Sequence, residues 1–402
     1  MPPLPDAGVE YLVGDSGAMT GARPLRPYDD LVLEFLNDLS RALLADAEAK
    51  READIVAFAY WCRKANTARL KREFAEPRVR LGLGVVFHIT PSNVPINFAF
   101  SLAFALLAGN ASVVRVPTRD TLQVSIVCRA IRRLVAEPGH RAIAGMTVVV
   151  RYPPNDEITR AFSALCDGRI IWGGDETIRH IRSLGIPERS VEVVFADRYS
   201  LCAIDGASVL AADDPELARL AGGFFNDTYL MDQNACSSPH LVLWFGAPDV
   251  IERAQRRFWE RVHAVAAARY QLQPVNAVDK YLQLCRNAIE LDHVAGVSRH
   301  GNYVYRVELA DVPDNVDTLR GRYGYVYEYR ADDISRLAPV VNAKYQTVTY
   351  FGVDKAYLAD FVVSHRLRGI DRIVPIGTAL DIGVVWDGYD IVRSLSRIID
   401  VH

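Results

Sequence analysis

The sequence predicts an α/β protein with two parallel-sheet domains, and three observations carry that reading. Short apolar strands alternate with helices from residue 83 onward. Those strands show no clean period of two, as expected where both faces are covered. The alternation then restarts near Asp205 and runs to about residue 370. Parallel strands need crossover connections, usually helical, so helices come to lie on both faces of each sheet.

Ahead of the alternation the first 80 residues read as amphipathic helices. Asp29 to Leu44 has apolar residues at 31, 33, 36, 39 and 43, and Ala53 to Phe74 follows with Ile55, Phe58, Trp61 and Leu70. This segment is expected to pack across the first sheet domain. A strand at Leu83–Thr90 leads into the turn Pro91-Ser92-Asn93-Val94-Pro95, whose second proline suits a first helical turn. That helix runs to Leu107 and stops at Gly109-Asn110, a good C-cap. Strands follow at Ala111–Val116, Met146–Arg151, Arg169–Trp172 and Val191–Phe195. Between them lie a helix capped by Thr118 or Asp120, a helix at Asp156–Leu165 and one opened by Gly173-Gly174. The second domain reads as a helix from Asp214 to Phe224, a polar loop from Asn226 to Pro239, a strand at Leu241–Phe245 and helices near 248–269 and 277–291. The expected division is residues 1–205 and 206–370, with the tail 371–402 returning to the first domain or to a partner subunit.

Composition narrows the function. Of 402 residues, half are hydrophobic, and 46 basic residues against 49 acidic leave no positive excess for phosphate backbones. Nucleic acid is therefore not expected as a partner. The apolar stretch Val94–Ala108 is too short for a bilayer, which needs about 20 residues, and no membrane contact is expected. The six cysteines are widely spaced, with no CxxC pair and no Cys/His cluster at zinc-ligand spacing, so no metal is expected. Such cysteines, with no signal-peptide pattern at the N-terminus, fit reduced thiols in the cytoplasm.

Cys236 stands apart by context. It lies in Met231-Asp232-Gln233-Asn234-Ala235-Cys236-Ser237-Ser238-Pro239, a polar loop directly ahead of an apolar strand, whereas the other five sit inside apolar segments and read as small core residues. A nucleophilic thiol needs access and surroundings that favour thiolate. Asn93, in the turn after the first strand, is either a turn residue or an amide donor to an oxyanion formed on thiolate attack at a carbonyl. The pair would meet at an interdomain cleft. Gly173-Gly174 permits a phosphate to approach a helix N-terminus. Arg115 and Arg119 are candidate contacts to a ribose or phosphate. His240, four residues past Cys236, reads as a buried imidazole rather than a partner for the thiol.

Several of these segments occur together in order and spacing. They are the Pro91-Ser92-Asn93-Val94-Pro95 turn, Gly109-Asn110, Arg115, Ile171-Trp172-Gly173-Gly174-Asp175-Glu176, the Cys236-Ser237-Ser238-Pro239 loop, Tyr345-Gln346-Thr347 with Gly352, Arg372-Ile373-Val374-Pro375-Ile376-Gly377 and Trp386-Asp387-Gly388. Over roughly residues 80–402 the chain resembles the acyl-CoA reductase family typified by the fatty-acyl reductase of bacterial luminescence, a branch of the aldehyde dehydrogenase superfamily. The resemblance implies an aldehyde dehydrogenase-like fold with a Rossmann-like cofactor domain, a catalytic domain and a small oligomerisation element. It implies that Cys236 is the nucleophile and that Asn93 donates to the oxyanion beside the Cys236 amide. It places Thr90, Pro91, Ser92, Arg115, Thr118, Gly173 and Gly174 at the nicotinamide cofactor, and a homo-oligomer (dimer or tetramer) follows from it.

Three departures from the superfamily pattern matter. Arg115 stands where lysine is usual, and Ile178 where a glycine is expected. The segment Val194–Ser200 also lacks the water-activating glutamate of hydrolytic members, with Glu192 lying a little upstream. General-base help is worth about 10² to 10⁴-fold, so without it an acyl-thioenzyme should be hydrolysed slowly. The expected reaction is therefore reduction of an acyl-CoA thioester to an aldehyde through acyl-Cys236, with coenzyme A as leaving group. The arginine pair Arg115 and Arg119 favours NADPH, which arginine can bind through the 2′-phosphate, while Asp120 leaves NADH open. Aldehyde oxidation using Glu192 is the alternative, and a non-catalytic scaffold a third reading. An acyl-donating partner enzyme fits the scheme. The acyl wall is expected from Phe224, Phe225, Tyr229 and Tyr323–Tyr329, while Glu328 is either a contact to the nicotinamide ribose or, as the leading reading, an exposed strand residue.

Overall fold

The structure, a computed structural model, describes residues 4–19 and 21–402. The chain forms two compact units, one of residues 4–19, 21–196 and 384–402, the other of Asp197–Gly383. The first unit thus ends at Ala196 rather than 205, because the strand Tyr199–Asp205 pairs within the second sheet.

In the first unit the order is β1 (Glu10–Val13), α1 (Asp30–Ala45), α2 (Ala53–Trp61), α3 (Lys64–Phe74), β2 (Val79–Gly82), β3 (Val85–Ile89), α4 (Asn97–Leu107), β4 (Ala111–Val116) and α5 (Leu122–Val135). It continues with α6 (Arg141–Ala144), β5 (Thr147–Arg151), α7 (Asp156–Ala164), β6 (Gly168–Trp172), α8 (Asp175–Ser183) and β7 (Val191–Phe195). The six-stranded sheet has the order β1-β5-β4-β3-β6-β7, parallel except for β1. Counting from β3, the parallel strands run third, second, first, fourth, fifth, the doubly wound order that binds dinucleotides where the winding reverses. Here that point lies between β3 and β6, which pair from Val86 with Gly168 to Ile89 with Ile171.

Local details correct the expected boundaries. Helix α4 starts at Asn97, two residues past Pro95, and every residue in it is buried, as befits a helix apolar on all sides but for Asn97 and Ser101. Its end matches expectation: Gly109 has φ +87°, and a Cβ there would lie 2.1 Å from the Leu25 carbonyl oxygen. Helix α5 is capped by Thr121, whose hydroxyl accepts from Val124 N, and not by Thr118 or Asp120.

The second unit comprises β8 (Tyr199–Asp205), α9 (Gly206–Ala211), α10 (Asp214–Tyr229), β9 (Pro239–Phe245), α11 (Pro248–Arg269), α12 (Pro274–Glu290), β10 (Val294–His300) and β11 (Val304–Leu309). After these come β12 (Tyr325–Ala331), β13 (Tyr345–Phe351), α13 (Lys355–Ser364) and β14 (Arg372–Pro375). Its seven-stranded sheet runs β10-β11-β12-β9-β8-β13-β14, and only β10 is antiparallel to its neighbour. One face carries Tyr199, Leu201, Leu241, Tyr327 and Val348 against Leu358 and Phe361 of α13. The other carries Cys202, Val242 and Trp244 against Phe224, Phe258 and Trp259.

Those packing partners overturn the expected acyl wall. Phe224, Phe225 and Tyr229 are core residues of α10, with Phe224 edge-on to Phe258 and Trp259. Glu328 is wholly buried rather than exposed. Its Oε1 accepts from Trp244 and Trp259 Nε1, each at 2.7 Å, and from Gln255 at 3.3 Å, while Oε2 takes Arg306 Nε at 2.7 Å. A buried carboxylate survives only with partners of this kind.

Within the tail, residues 371–383 stay in the second unit and 384–402 belong to the first. There the hairpin β15 (Val385–Trp386) and β16 (Tyr389–Asp390) leads through α14 (Ile391–Ser394) to β17 (Ser396–Ile399), which pairs with β2. Among the described residues no helix is long and apolar enough to cross a membrane.

Candidate active site

The loop before β9 is held by its own side chains. Asp232 and Gln233 both adopt left-handed φ values, +52° and +62°, a strain that persists only where the surroundings over-determine it. Gln233 supplies that restraint. Its buried amide nitrogen donates to Pro239 O at 2.9 Å and Tyr325 O at 3.0 Å, while its oxygen accepts from Gly324 N and Tyr325 N. The chain then makes a turn closed by Ser238 N donating to Ala235 O at 3.0 Å, with Cys236 in its second position.

Cys236 is half-buried, as is Cys285, whereas the other four cysteines are buried. Burial pushes the Cys128 and Cys166 thiols up to about 12, where they hold no thiolate at neutral pH. Around Cys236 the groups differ. Gln346 Nε2 donates to Cys236 Sγ at 3.5 Å, and Ser200 Oγ donates to Cys236 O at 2.7 Å. Burial lowers the pKa of Arg372, and the negative charges of Asp381, Asp227 and a Cys236 thiolate oppose that shift. The same attraction acts on the sulfur, so the guanidinium favours an anion there. Arg372 is fixed by donating to the carbonyls of Ala379, Thr378 and Asp381 at 2.6, 2.9 and 2.8 Å.

Asp227 anchors the same region. Its carboxylate accepts from Gly377 N at 2.6 Å and Ala379 N at 2.9 Å, and its carbonyl takes the Ser238 hydroxyl. Burial outweighs those hydrogen bonds and pushes its pKa up to about 7. His240 is buried and neutral, its pKa pushed down to about 3 by burial, and its ring stacks on Tyr199 at 5.5 Å. It does not activate the thiol. Gln233, Gln346 and Arg372 had no assigned role in the sequence. The only signal was polarity in apolar surroundings, within segments already noted as motifs.

In the first unit, the carboxyl ends of β3, β4 and β6 present the residues expected at a cofactor. Ser92 and Asn93 are exposed in the bend after β3, and Pro91 is half-buried. Thr90 is turned inward, its hydroxyl donating to Arg115 O at 2.8 Å. Arg115 lies over the Tyr152 ring at 4.6 Å, and its buried Nε has no partner. Thr118 donates to Tyr152 O at 3.4 Å. Arg119 is exposed, and its neighbour Asp120 is tied to Arg151 at 2.8 Å and to Ser125 at 3.2 Å. Gly174 is the N-cap of α8 and a Cβ there would meet open space, whereas at Gly173 it would press on Thr177 at 3.3 Å. Asp175 and Glu176 occupy the first turn of α8 and oppose an anion at that end. The open loop after β3, the bare Gly174 and the orphaned guanidinium donor fit a dinucleotide at the reversal of the sheet.

Glu192 is not free to activate water. Its carboxylate accepts from Arg169 Nε at 2.9 Å, Arg169 Nη2 at 2.6 Å and Arg182 Nε at 2.5 Å.

A profile described as "Acyl-CoA reductase (LuxC)" matches residues 70–399. The chain belongs to that family. Curated relatives are similar over much of it: a "long-chain acyl-protein thioester reductase" of Photorhabdus laumondii is 22% identical across 79% of this chain and 62% of its own length. One of Aliivibrio fischeri is 27% identical over 40% of this chain and 32% of its own. The chain thus spans about three-fifths of the Photorhabdus relative. Solved structures share the fold at low identity. An NADP-dependent enzyme of E. coli superposes with TM-score 0.62 and 16% identity, covering 95% of this chain and 87% of that one. Aldehyde dehydrogenase 21 of Physcomitrella patens gives 0.59 and 14% over the same shares. The fold is that of the aldehyde dehydrogenases, as the motifs implied.

Proposed function

We propose that this LuxC-family protein reduces an acyl thioester to an aldehyde through a covalent acyl-Cys236 intermediate, with acyl-CoA as donor and NADPH as reductant. The observation that carries the reading is the half-buried Cys236 thiol with an amide donor at its sulfur and a guanidinium that favours its anion. The Cys236 thiolate attacks the carbonyl carbon, forming a C–S bond and an oxyanion. Asn93 and the Cys236 N–H donate to that oxygen, as oxyanion donors do in acyl transfer. Collapse breaks the bond to coenzyme A, whose thiolate leaves. Exchange of one thioester for another is nearly balanced in energy, so the step needs little driving force.

Thr90, Pro91, Ser92, Arg115, Thr118, Gly173 and Gly174 would hold the dinucleotide, which when bound would supply hydride to the acyl carbon. Loss of the sulfur then releases aldehyde and regenerates the thiolate. Arg119, beside an Asp120 already engaged by Arg151, would pair with the 2′-phosphate of NADPH. With Glu192 held by two arginines, no base is assigned to water and hydrolysis to acid is disfavoured. The names of the relatives speak of an acyl-protein donor, so a protein-borne thioester is the second donor to test.

Incubation with acyl-CoA lacking reductant, followed by intact mass and peptide mapping, should give an acyl adduct on Cys236 that Cys236→Ala abolishes. An adduct at another residue, or acid formed from aldehyde and NAD(P)⁺ without coenzyme A, overturns the proposal. Chain-length and carrier-protein series, followed by NADPH absorbance, identify the donor.

A further inference from the structure

Helix α12 packs Leu284 on the core of its own domain and carries a second apolar stripe that the domain leaves uncovered. Its inward face carries Lys280 and Asn287, both buried. Lys280 Nζ donates to Tyr303 O at 3.0 Å and Tyr323 O at 2.8 Å, and Asn287 Nδ2 donates to the hydroxyls of Tyr325 and Tyr327 at 2.8 and 2.7 Å. Its outward face carries Val275, Val278, Tyr281, Leu282 and Ile289, which are 61, 56, 52, 50 and 83% exposed. A helix that ends at solvent normally carries polar residues on its outer face.

The outward residues are also spaced for another helix. Val275, Val278, Leu282, Cys285 and Ile289 follow one another at intervals of three, four, three and four, the repeat that keeps a seam facing a partner helix. Lys280 and Asn287 are seven apart on the opposite side, so the domain grips one face of α12 and leaves the seam outward.

We infer that the seam of α12 packs antiparallel against the same helix of a second copy of this chain. The flanking charges select that occupant. Asp279 and Arg286 are exposed, lie on one side of the seam and are seven residues apart. A two-fold axis near Leu282 and Gln283 brings Asp279 of each copy opposite Arg286 of the other, and an isologous contact makes both pairs at once. A parallel pairing would instead set Arg286 against Tyr281 and leave Asp279 without a cation. Helix α12 spans about 25 Å at 1.5 Å per residue, too short for a stable coiled coil from unfolded peptides. Here the domain has already folded each helix, so association does not have to nucleate it. The inference is independent of the chemistry proposed for Cys236.

Sedimentation equilibrium and light scattering at tens of micromolar test it. The wild-type chain is expected at two copies or a multiple of two, and L282E/I289E at half that mass with unchanged circular dichroism and melting. D279R and R286D should each weaken association about tenfold, since two flanking pairs become repulsive. Mixing the two variants should restore it, because each then presents the charge that the other lacks. A monomeric wild type, an assembly that survives L282E/I289E, or a mixture that behaves as the sum of its parts overturns the inference.

Discussion

Replacing Gln346 by leucine tests whether the amide at the Cys236 sulfur tunes the reactivity of the proposed nucleophile. Gln346 is 1% exposed, its Nε2 donates to Cys236 Sγ at 3.5 Å, and its oxygen accepts from the Thr347 hydroxyl at 3.3 Å. A hydrogen bond to an ionised group is worth about 1.5–3 kcal/mol, and a contact of this length to sulfur belongs at the lower end. About 1.4 kcal/mol corresponds to a factor of ten in thiolate population, partly offset because a more basic thiolate is more nucleophilic, so Q346L should slow thiolate chemistry at Cys236 about three- to fourfold. The assay is the second-order rate of iodoacetamide alkylation at constant pH, read by intact mass. Peptide mapping separates Cys236 from the half-buried Cys285. Q346E should be slower still, because a carboxylate placed beside a thiolate repels it. A Q346L protein that melts normally and is alkylated at the wild-type rate refutes the role assigned to this side chain.

Two further predictions concern the second unit. Glu328→Leu strips four donors of their acceptor and leaves the Arg306 charge uncompensated, so it should cost about 3–5 kcal/mol, read as a loss of urea-unfolding free energy. E328L/R306L should recover part of that loss, since removing both partners is milder than removing one. For Asp227 the folded pKa is raised to about 7, above its value in the unfolded chain. Its contribution to stability is therefore fully present below the unfolded value near 4 and is lost as pH rises towards 7, at up to about 1.4 kcal/mol per pH unit. Asp227→Asn should flatten that slope in urea titrations, with a constant offset because the new amide NH₂ faces Gly377 N or Ala379 N. Parallel wild-type and variant curves refute the assignment.

The parts of the fold that the sequence announced are those governed by local rules. Strands Ala111–Val116 and Val191–Phe195 appear within the predicted bounds, each an apolar run set off by Gly, Asn, Pro or polar residues. The start of α4 was misplaced because two prolines bracket the turn, and the residue before a proline is pushed out of the helical region. Glu328 was misread for a different reason. A charge in a strand reads as exposed unless its neighbours are known, and here the compensating Arg306, Trp244, Trp259 and Gln255 come from two other strands and α11. Cys236 was legible because a polar loop surrounds it. The groups that tune it were not, since Gln346 and Arg372 lie 110 and 136 residues away in sequence.

Register shifts in the sheet, and not the loop alone, bear on where Cys236 sits. Ser200 pairs with Pro239 while Leu201 pairs with Leu241, so β9 carries one extra residue, His240. Tyr345 pairs with Tyr199 while Val348 pairs with Leu201, so β13 also carries an extra residue, at Gln346–Thr347. A bulge turns a side chain away from the face that alternation would give it, and bulges collect beside active sites. The first lays His240 on Tyr199. The second brings Gln346 to the sulfur and takes the Thr347 N–H out of the ladder. Ser200, opposite both, accepts that N–H at 3.2 Å and donates its own proton to Cys236 O at 2.7 Å. A single serine thus ties two irregular strands to the backbone of the cysteine. The loop residue Cys236 is thereby fastened to two paired strands through the Ser200 hydroxyl, the kind of restraint that the proposed nucleophile needs.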